Sequence, residues 1–159
     1  MPVDIEQFLR RIILLILAVL LLAGHLWAEP TTEGIATRIL DGDTLDVIIE
    51  GAPTRVRLLG IRAAEMNEMV PCAKRWAQTA KATLSEMLLG KQVWIELDVG
   101  LYDKYHRLLA YLYIGEVMIN AELVKAGLAR TSDVSPNHLH RTWLRALEAE
   151  ALREKRGMW

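Results

Sequence analysis

Between Ile35 and Ile61 short aliphatic runs alternate with tight turns, and this alternation restricts the fold more than any other feature of the chain. Ile35–Leu40 and Leu45–Ile49 flank Asp41-Gly42-Asp43-Thr44, and Gly51-Ala52-Pro53 separates the second run from Thr54–Ile61. Three close strands with Gly and Asp at their junctions predict an antiparallel meander.

From Pro71 the period changes. Trp76, Ala80, Leu84, Met87 and Leu88 share one face of a helix, which Gly90 ends. Gln92–Val99 and Leu108–Ile114 return to strand, and Gly115-Glu116 turns the latter toward Val117-Met118. Asn120 is placed to cap a short helix through Ala126, ended by Gly127. Pro136 is read as the start of a last helix with Leu139, Trp143, Leu147 and Ala151 as its apolar stripe. Five strands, a helix between the third and fourth, and helices at the end predict an α+β domain. The economical architecture is an OB-fold: a five-stranded antiparallel barrel with three helices. Trp76, Trp94 and Trp143 are expected in its core.

The chain has 159 residues, 52% of them hydrophobic, which suits one domain. Part of that count lies in Ile12–Ala23, an unbroken apolar run behind Arg10 and Arg11. This pattern reads as a secretory signal with Ala28 at the cleavage site, giving a 1–28 signal peptide and a 29–159 domain. Leu26, Asp4 and Glu6 depart from the pattern, so an uncleaved anchor over 12–28 stays open. Both readings put the domain outside the cytoplasm, secreted, periplasmic or tethered to the membrane. Net charge is -1, unlike the strongly basic balance of many nucleic-acid binders, although a local basic cleft is compatible with it. Cys72 is the only cysteine, so no intrachain disulfide forms, and it reads as a small residue at a helix start. Nothing in the sequence demands more than a monomer.

Five side chains bear chemistry. Asp41 and Asp43 can present hard oxygens to Ca²⁺, though Asp-Gly is equally a hairpin turn. An EF-hand is excluded, because Asp46 stands where its glycine belongs and Ala52 where its closing glutamate does. Arg57 lies between Val56 and Leu58, so alternation turns it away from those apolar neighbours. Arg107 just precedes the fifth strand. Singly, each arginine reads as a surface ion-pair partner. Together they can fork onto a phosphodiester and neutralise charge on its transition state. Glu65 is either a solvated loop acid or a base beside that phosphate.

These residues sit in blocks that resemble the thermonuclease, or staphylococcal nuclease-like, family. The blocks are Leu40-Asp41-Gly42-Asp43-Thr44, Val56-Arg57-Leu58-Leu59-Gly60-Ile61, Glu65, Asp103 through Tyr111, Asn120 through Ala129, and Gly157-Met158-Trp159. The resemblance implies a Ca²⁺-dependent endonuclease acting on DNA or RNA. It implies that Arg57 and Arg107 bind the scissile phosphate and that Glu65 activates or orients water. Asp43 would ligate calcium directly, with Asp41 beside the metal and the Ala63 carbonyl completing part of the shell.

The pattern breaks at Arg62-Ala63-Ala64-Glu65, where the family has Asp-Ala-Pro-Glu or Asp-Thr-Pro-Glu. Arg62 puts a cation in place of the second calcium carboxylate and is expected to impair the metal site. His106 replaces a glycine before Arg107, and Asp133 and Ser135 replace ring-stacking tyrosines. His138 and His140 are expected to be solvated. Two other readings follow: a non-catalytic module binding nucleic acid or another polyanion, and a membrane-tethered envelope domain.

Overall fold

The structure, a computed structural model, describes residues 32–64 and 71–159. The signal or anchor segment and Glu65 lie outside the described residues, as does the side chain of Cys72 in the first turn of its helix. The elements in order are β1 (Thr32–Ile39), β2 (Thr44–Ile49), β3 (Ala52–Leu58), β4 (Ile61–Ala63), α1 (Pro71–Leu88), β5 (Gln92–Tyr102), β6 (Leu108–Ile114), β7 (Val117–Met118), α2 (Ile119–Lys125), β8 (Ala129–Thr131) and α3 (Arg141–Arg153).

The predicted meander forms, with β1 pairing β2 and β2 pairing β3, all antiparallel. β5 then pairs with β1 and β6 with β5, again antiparallel. The barrel closes where β3 meets β6, with Arg57 opposite Leu109, and that pair is parallel. Closure removes the open edges of a five-stranded sheet. The antiparallel barrel expected from sequence thus holds for every pair except the closing one.

The barrel is filled by Leu45, Val47, Val56, Leu58, Val93, Ile95 and Leu112, all essentially without solvent contact. α1 adds Ala80, Leu84 and Leu88, with Trp76 and Met87 half-buried against the same core. Gly42 is required by close approach: a Cβ there would lie 2.6 Å from the Ala63 Cβ and 2.7 Å from the Ala80 Cβ. The Asp-Gly-Asp segment is therefore pressed between β4 and α1.

Five local readings change. The third strand ends at Leu58, because Leu59-Gly60 turns with Gly60 at φ 74°, and Ile61–Ala63 forms a separate strand paired with β8. Asn120 does not cap α2. It is fully buried, accepts from the Leu112 amide at 3.0 Å and donates to the Leu59 carbonyl at 2.9 Å, tying α2 to the barrel. The last helix begins at Arg141 rather than Pro136, and its buried face is Leu144 and Ala151 with Leu147 behind them. Leu139 and Trp143 are exposed, so Trp143 is not a core residue. His140, expected in solvent, is half-buried and lies 2.8 Å from the Glu96 carboxylate.

Candidate active site

The β1–β2 turn, β3, β4 and the segment before β6 meet around one cleft of about 610 Å³. Asp41, Asp43, Arg57, Arg62, Ala63, Lys104, Tyr105 and Arg107 line it. Residues far apart in the chain are brought there by two features of the barrel. The parallel β3–β6 contact carries Arg57 toward the start of β6, where Arg107 stands. Packing on Gly42 carries Asp43 to Ala63.

Asp43 is almost fully buried. Its Oδ2 accepts the Ala63 amide at 2.8 Å and pairs with the Arg57 Nη2 at 2.9 Å. Its Oδ1 accepts the buried Thr44 hydroxyl at 3.1 Å. The Asp43 amide in turn donates to Asp41 Oδ1 at 3.0 Å. Burial pushes the Asp43 carboxyl up to about 6, against the opposing pull of the Arg57 guanidinium and the Ala63 amide.

Arg57 is fixed at both ends of its fork. Nη1 donates to the Leu58 carbonyl at 2.7 Å while Nη2 holds Asp43. Burial lowers its pKa, and the positive charges of Arg107 and Arg62 act in the same direction while Asp43 opposes them. Arg62 lines the same cleft, so its charge adds to that of Arg57 and Arg107.

Arg107 is anchored through its near side. Its amide and Nε donate to Asp103 at 3.0 and 2.7 Å, and its guanidinium lies 5.4 Å from the Tyr105 ring centroid. Burial raises the Asp103 carboxyl, but the Arg107 and Tyr105 donors outweigh it and hold the carboxyl below its ordinary value. Among the described residues the terminal nitrogens of Arg107 carry no hydrogen bond, which leaves its fork free to donate to an anion. His106, in the family's glycine position, adopts φ 59°, so the left-handed turn presenting Arg107 is kept despite the side chain.

Four cationic side chains line the cleft (Arg57, Arg62, Lys104 and Arg107) against two carboxylates (Asp41 and Asp43). A cleft of positive balance on a chain of net charge -1 selects for anions. Residues 55–159 match the family described as staphylococcal nuclease homologue. The chain belongs to the staphylococcal nuclease family. It is 31% identical over 125 residues to the thermonuclease of Staphylococcus intermedius, covering 79% of this chain and 74% of that protein. It is 34% identical over 124 residues to endonuclease YncB of Bacillus subtilis (strain 168), covering 77% of this chain and 59% of that protein. Protein ParB of Escherichia coli is 31% identical over 153 residues, covering 90% of this chain and 80% of that protein. Similarity to proteins of these names makes a nuclease-like function the coarse assignment.

The resemblance implied Ca²⁺, an ion that the described residues by themselves fit poorly. Calcium takes 6–8 oxygen ligands. Here Asp43 already gives both oxygens to Arg57, Ala63 and Thr44. Arg62 adds a like charge, and among the described residues no group of three or more acidic, His or Cys side chains is placed to hold a metal. The residues expected to ligate calcium, Asp41, Asp43 and Ala63, share a cleft wall with the cation Arg62.

Other family features also differ. Asp133, at a ring-stacking position, is tied to Arg141 at 3.0 Å and Arg145 at 2.6 Å. Lys104 and the exposed ring of Tyr105 line the cleft, two contributors that sequence reasoning did not single out. Their only sequence signal was adjacency to Arg107.

Proposed function

We propose that this protein hydrolyses phosphodiester bonds of DNA or RNA, with Arg57 and Arg107 holding the phosphate and Glu65 positioning or deprotonating the attacking water. The observation that carries this reading is the convergence of Arg57 and Arg107 on one open cleft, with the Arg107 fork uncommitted. Two guanidiniums around one phosphate neutralise the charge that builds on its oxygens as water attacks. In this scheme water oxygen bonds to phosphorus, one P–O ester bond breaks, and the water proton passes through the Glu65 carboxylate to the departing oxygen. An unperturbed glutamate is ionised at neutral pH, as a base must be. No step is assigned to a metal.

A second reading has a specific observation behind it. Arg62 in the cleft and the engagement of the Asp43 carboxylate by Arg57, Ala63 and Thr44 suit a module that binds nucleic acid without cutting it. One experiment separates the two. The protein is incubated with single-stranded DNA and RNA while Ca²⁺, Mg²⁺ and Mn²⁺ are titrated against a chelator. Cleavage that disappears in Glu65→Gln supports the hydrolase, whereas binding without cleavage in every condition supports the module.

Export also belongs to this proposal, through the apolar segment at 12–28. Among the described residues no helix is long and apolar enough to cross a membrane. Mass spectrometry of the native amino terminus separates a cleaved signal, which starts the chain at Glu29, from a retained anchor.

A further inference from the structure

The cleft does not end at Arg62. On the other side of β4 a second cavity of about 270 Å³ opens between β4, β8, α1 and the chain's end. It shares Arg62, Ala63 and Ala64 with the first, and adds Trp76, Arg130 and Met158. Its floor is apolar and its rim is cationic.

The rim is an unusual arrangement of charge. Arg62 and Arg130 are direct partners across the β4–β8 ladder, so two guanidinium-bearing chains leave neighbouring backbones on the same face. Like charges directly opposite in an antiparallel pair are destabilising. Both side chains are exposed, and among the described residues neither has a carboxylate within salt-bridge distance. Arg130 is held in place by the ring of Trp159, whose centroid lies 4.8 Å from its guanidinium carbon. Trp159 is itself positioned by the tail: the Met158 amide donates to the Gly127 carbonyl at 3.0 Å, and Gly127, at φ 67°, has no room for a Cβ against Arg156. Stacking on indole fixes the plane of a guanidinium while leaving its edge donors available.

We propose that this second cavity is the subsite for the nucleotide next to the phosphate held by Arg57 and Arg107, its base lying against Trp76 and Met158 and its outer phosphate bound between Arg62 and Arg130. The inference rests on the phosphate cleft described under Proposed function. Continuity with that cleft and complementary charge select the occupant, a single strand with a base it can splay from the chain. A base stacked on an aromatic ring at Trp76 would take over the contact that Asp133 and Ser135 no longer offer. Arg62 then has a role in both cavities: it sits where one phosphate ends and the next begins.

The test is fluorescence anisotropy in chelator, with a labelled single-stranded pentanucleotide and a labelled mononucleoside 3′,5′-bisphosphate, across a salt series. Arg130→Gln is expected to weaken the pentanucleotide roughly tenfold and to lower the salt slope by about 0.7, the single-strand value for one phosphate. It should leave the bisphosphate within twofold. Arg130→Lys, which keeps the charge and the fold, should recover the slope but only part of the affinity. Arg107→Gln is run alongside and should weaken both ligands. If Arg107→Gln changes neither ligand while Arg130→Gln still acts, the phosphate cleft is misplaced. If Arg107→Gln acts and Arg130→Gln changes neither ligand, or both equally, the flanking subsite is overturned and the cleft stands.

Discussion

Replacing Arg62 by aspartate should raise the affinity of the cleft for calcium. Residue 62 immediately precedes Ala63, whose amide lies 2.8 Å from Asp43 Oδ2, and its side chain lines the same wall as Asp41 and Asp43. The substitution changes a charge of +1 to -1 beside a divalent cation, which alters the charge product by about four units. In water-like surroundings one unit pair at 4 Å contributes ~1 kcal/mol, so direct ligation is worth about 4 kcal/mol and a more distant carboxylate about half that. The expected gain in calcium affinity is therefore roughly 30- to 1000-fold. Isothermal titration with Ca²⁺ measures it directly, and a calcium-dependent rise in melting temperature larger than that of wild type gives a second readout. The same variant should bind a pentanucleotide more weakly in chelator, because the cleft loses a cation. Unchanged calcium affinity in Arg62→Asp would show that residue 62 does not face Asp43, and the argument that Arg62 impairs the metal site would fail.

Gly42→Ala should destabilise the fold by about 1–3 kcal/mol in urea unfolding, since a Cβ at 2.6 Å from Ala63 forces β4 or α1 to move; no loss would mean that the packing is looser than described. His106→Gly should stabilise by up to about 1 kcal/mol, because a left-handed φ of 59° strains histidine and not glycine, and a destabilised variant would contradict that. In metal-free protein the Asp43 carboxyl should titrate near pH 6 by carbon NMR. Its folded value lies above its unfolded value of 3.8, so the folded state holds the proton more tightly. The contribution of this one group to stability should therefore rise as pH falls from about 6 toward 3.8, and a midpoint near 4 would refute the burial argument.

Several of these residues were legible in the sequence for physical reasons. A two-residue period between Val56 and Leu58 placed Arg57 off the core face, and helix periodicity found Ala80, Leu84 and Leu88. Barrel closure was inferred from strand number, but the parallel contact at Arg57 and Leu109 has no local signature, because it joins segments separated by a helix and two strands. β4 and β8 are three residues each, too short for alternation to register. Asn120 looked like a cap because caps and buried amides use the same residue; only the surrounding Leu59 and Leu112 backbone distinguishes them. Trp143 was placed in the core by its position in the apolar stripe with Leu139, Leu147 and Ala151, yet α3 is rotated so that Leu144 faces inward. The glycine in Asp41-Gly42-Asp43 suggested a turn conformation, and its actual cause is the approach of Ala63 and Ala80, which no one-dimensional pattern shows. The direction of Arg62 was undetermined by sequence for the same reason.

The claim on which the account depends is that Arg57 and Arg107 act on one phosphate. A double-mutant cycle on binding of a short single-stranded oligonucleotide in chelator tests it, using Arg57→Lys, Arg107→Lys and the pair, with lysine retaining the charge that Asp43 requires. Charge-assisted hydrogen bonds contribute about 1.5–3 kcal/mol, so each single variant should lose roughly tenfold or more. If both forks hold the same phosphate, the double variant should lose distinctly less than the product of the two. Strict additivity, or no loss in either single variant, would contradict the account.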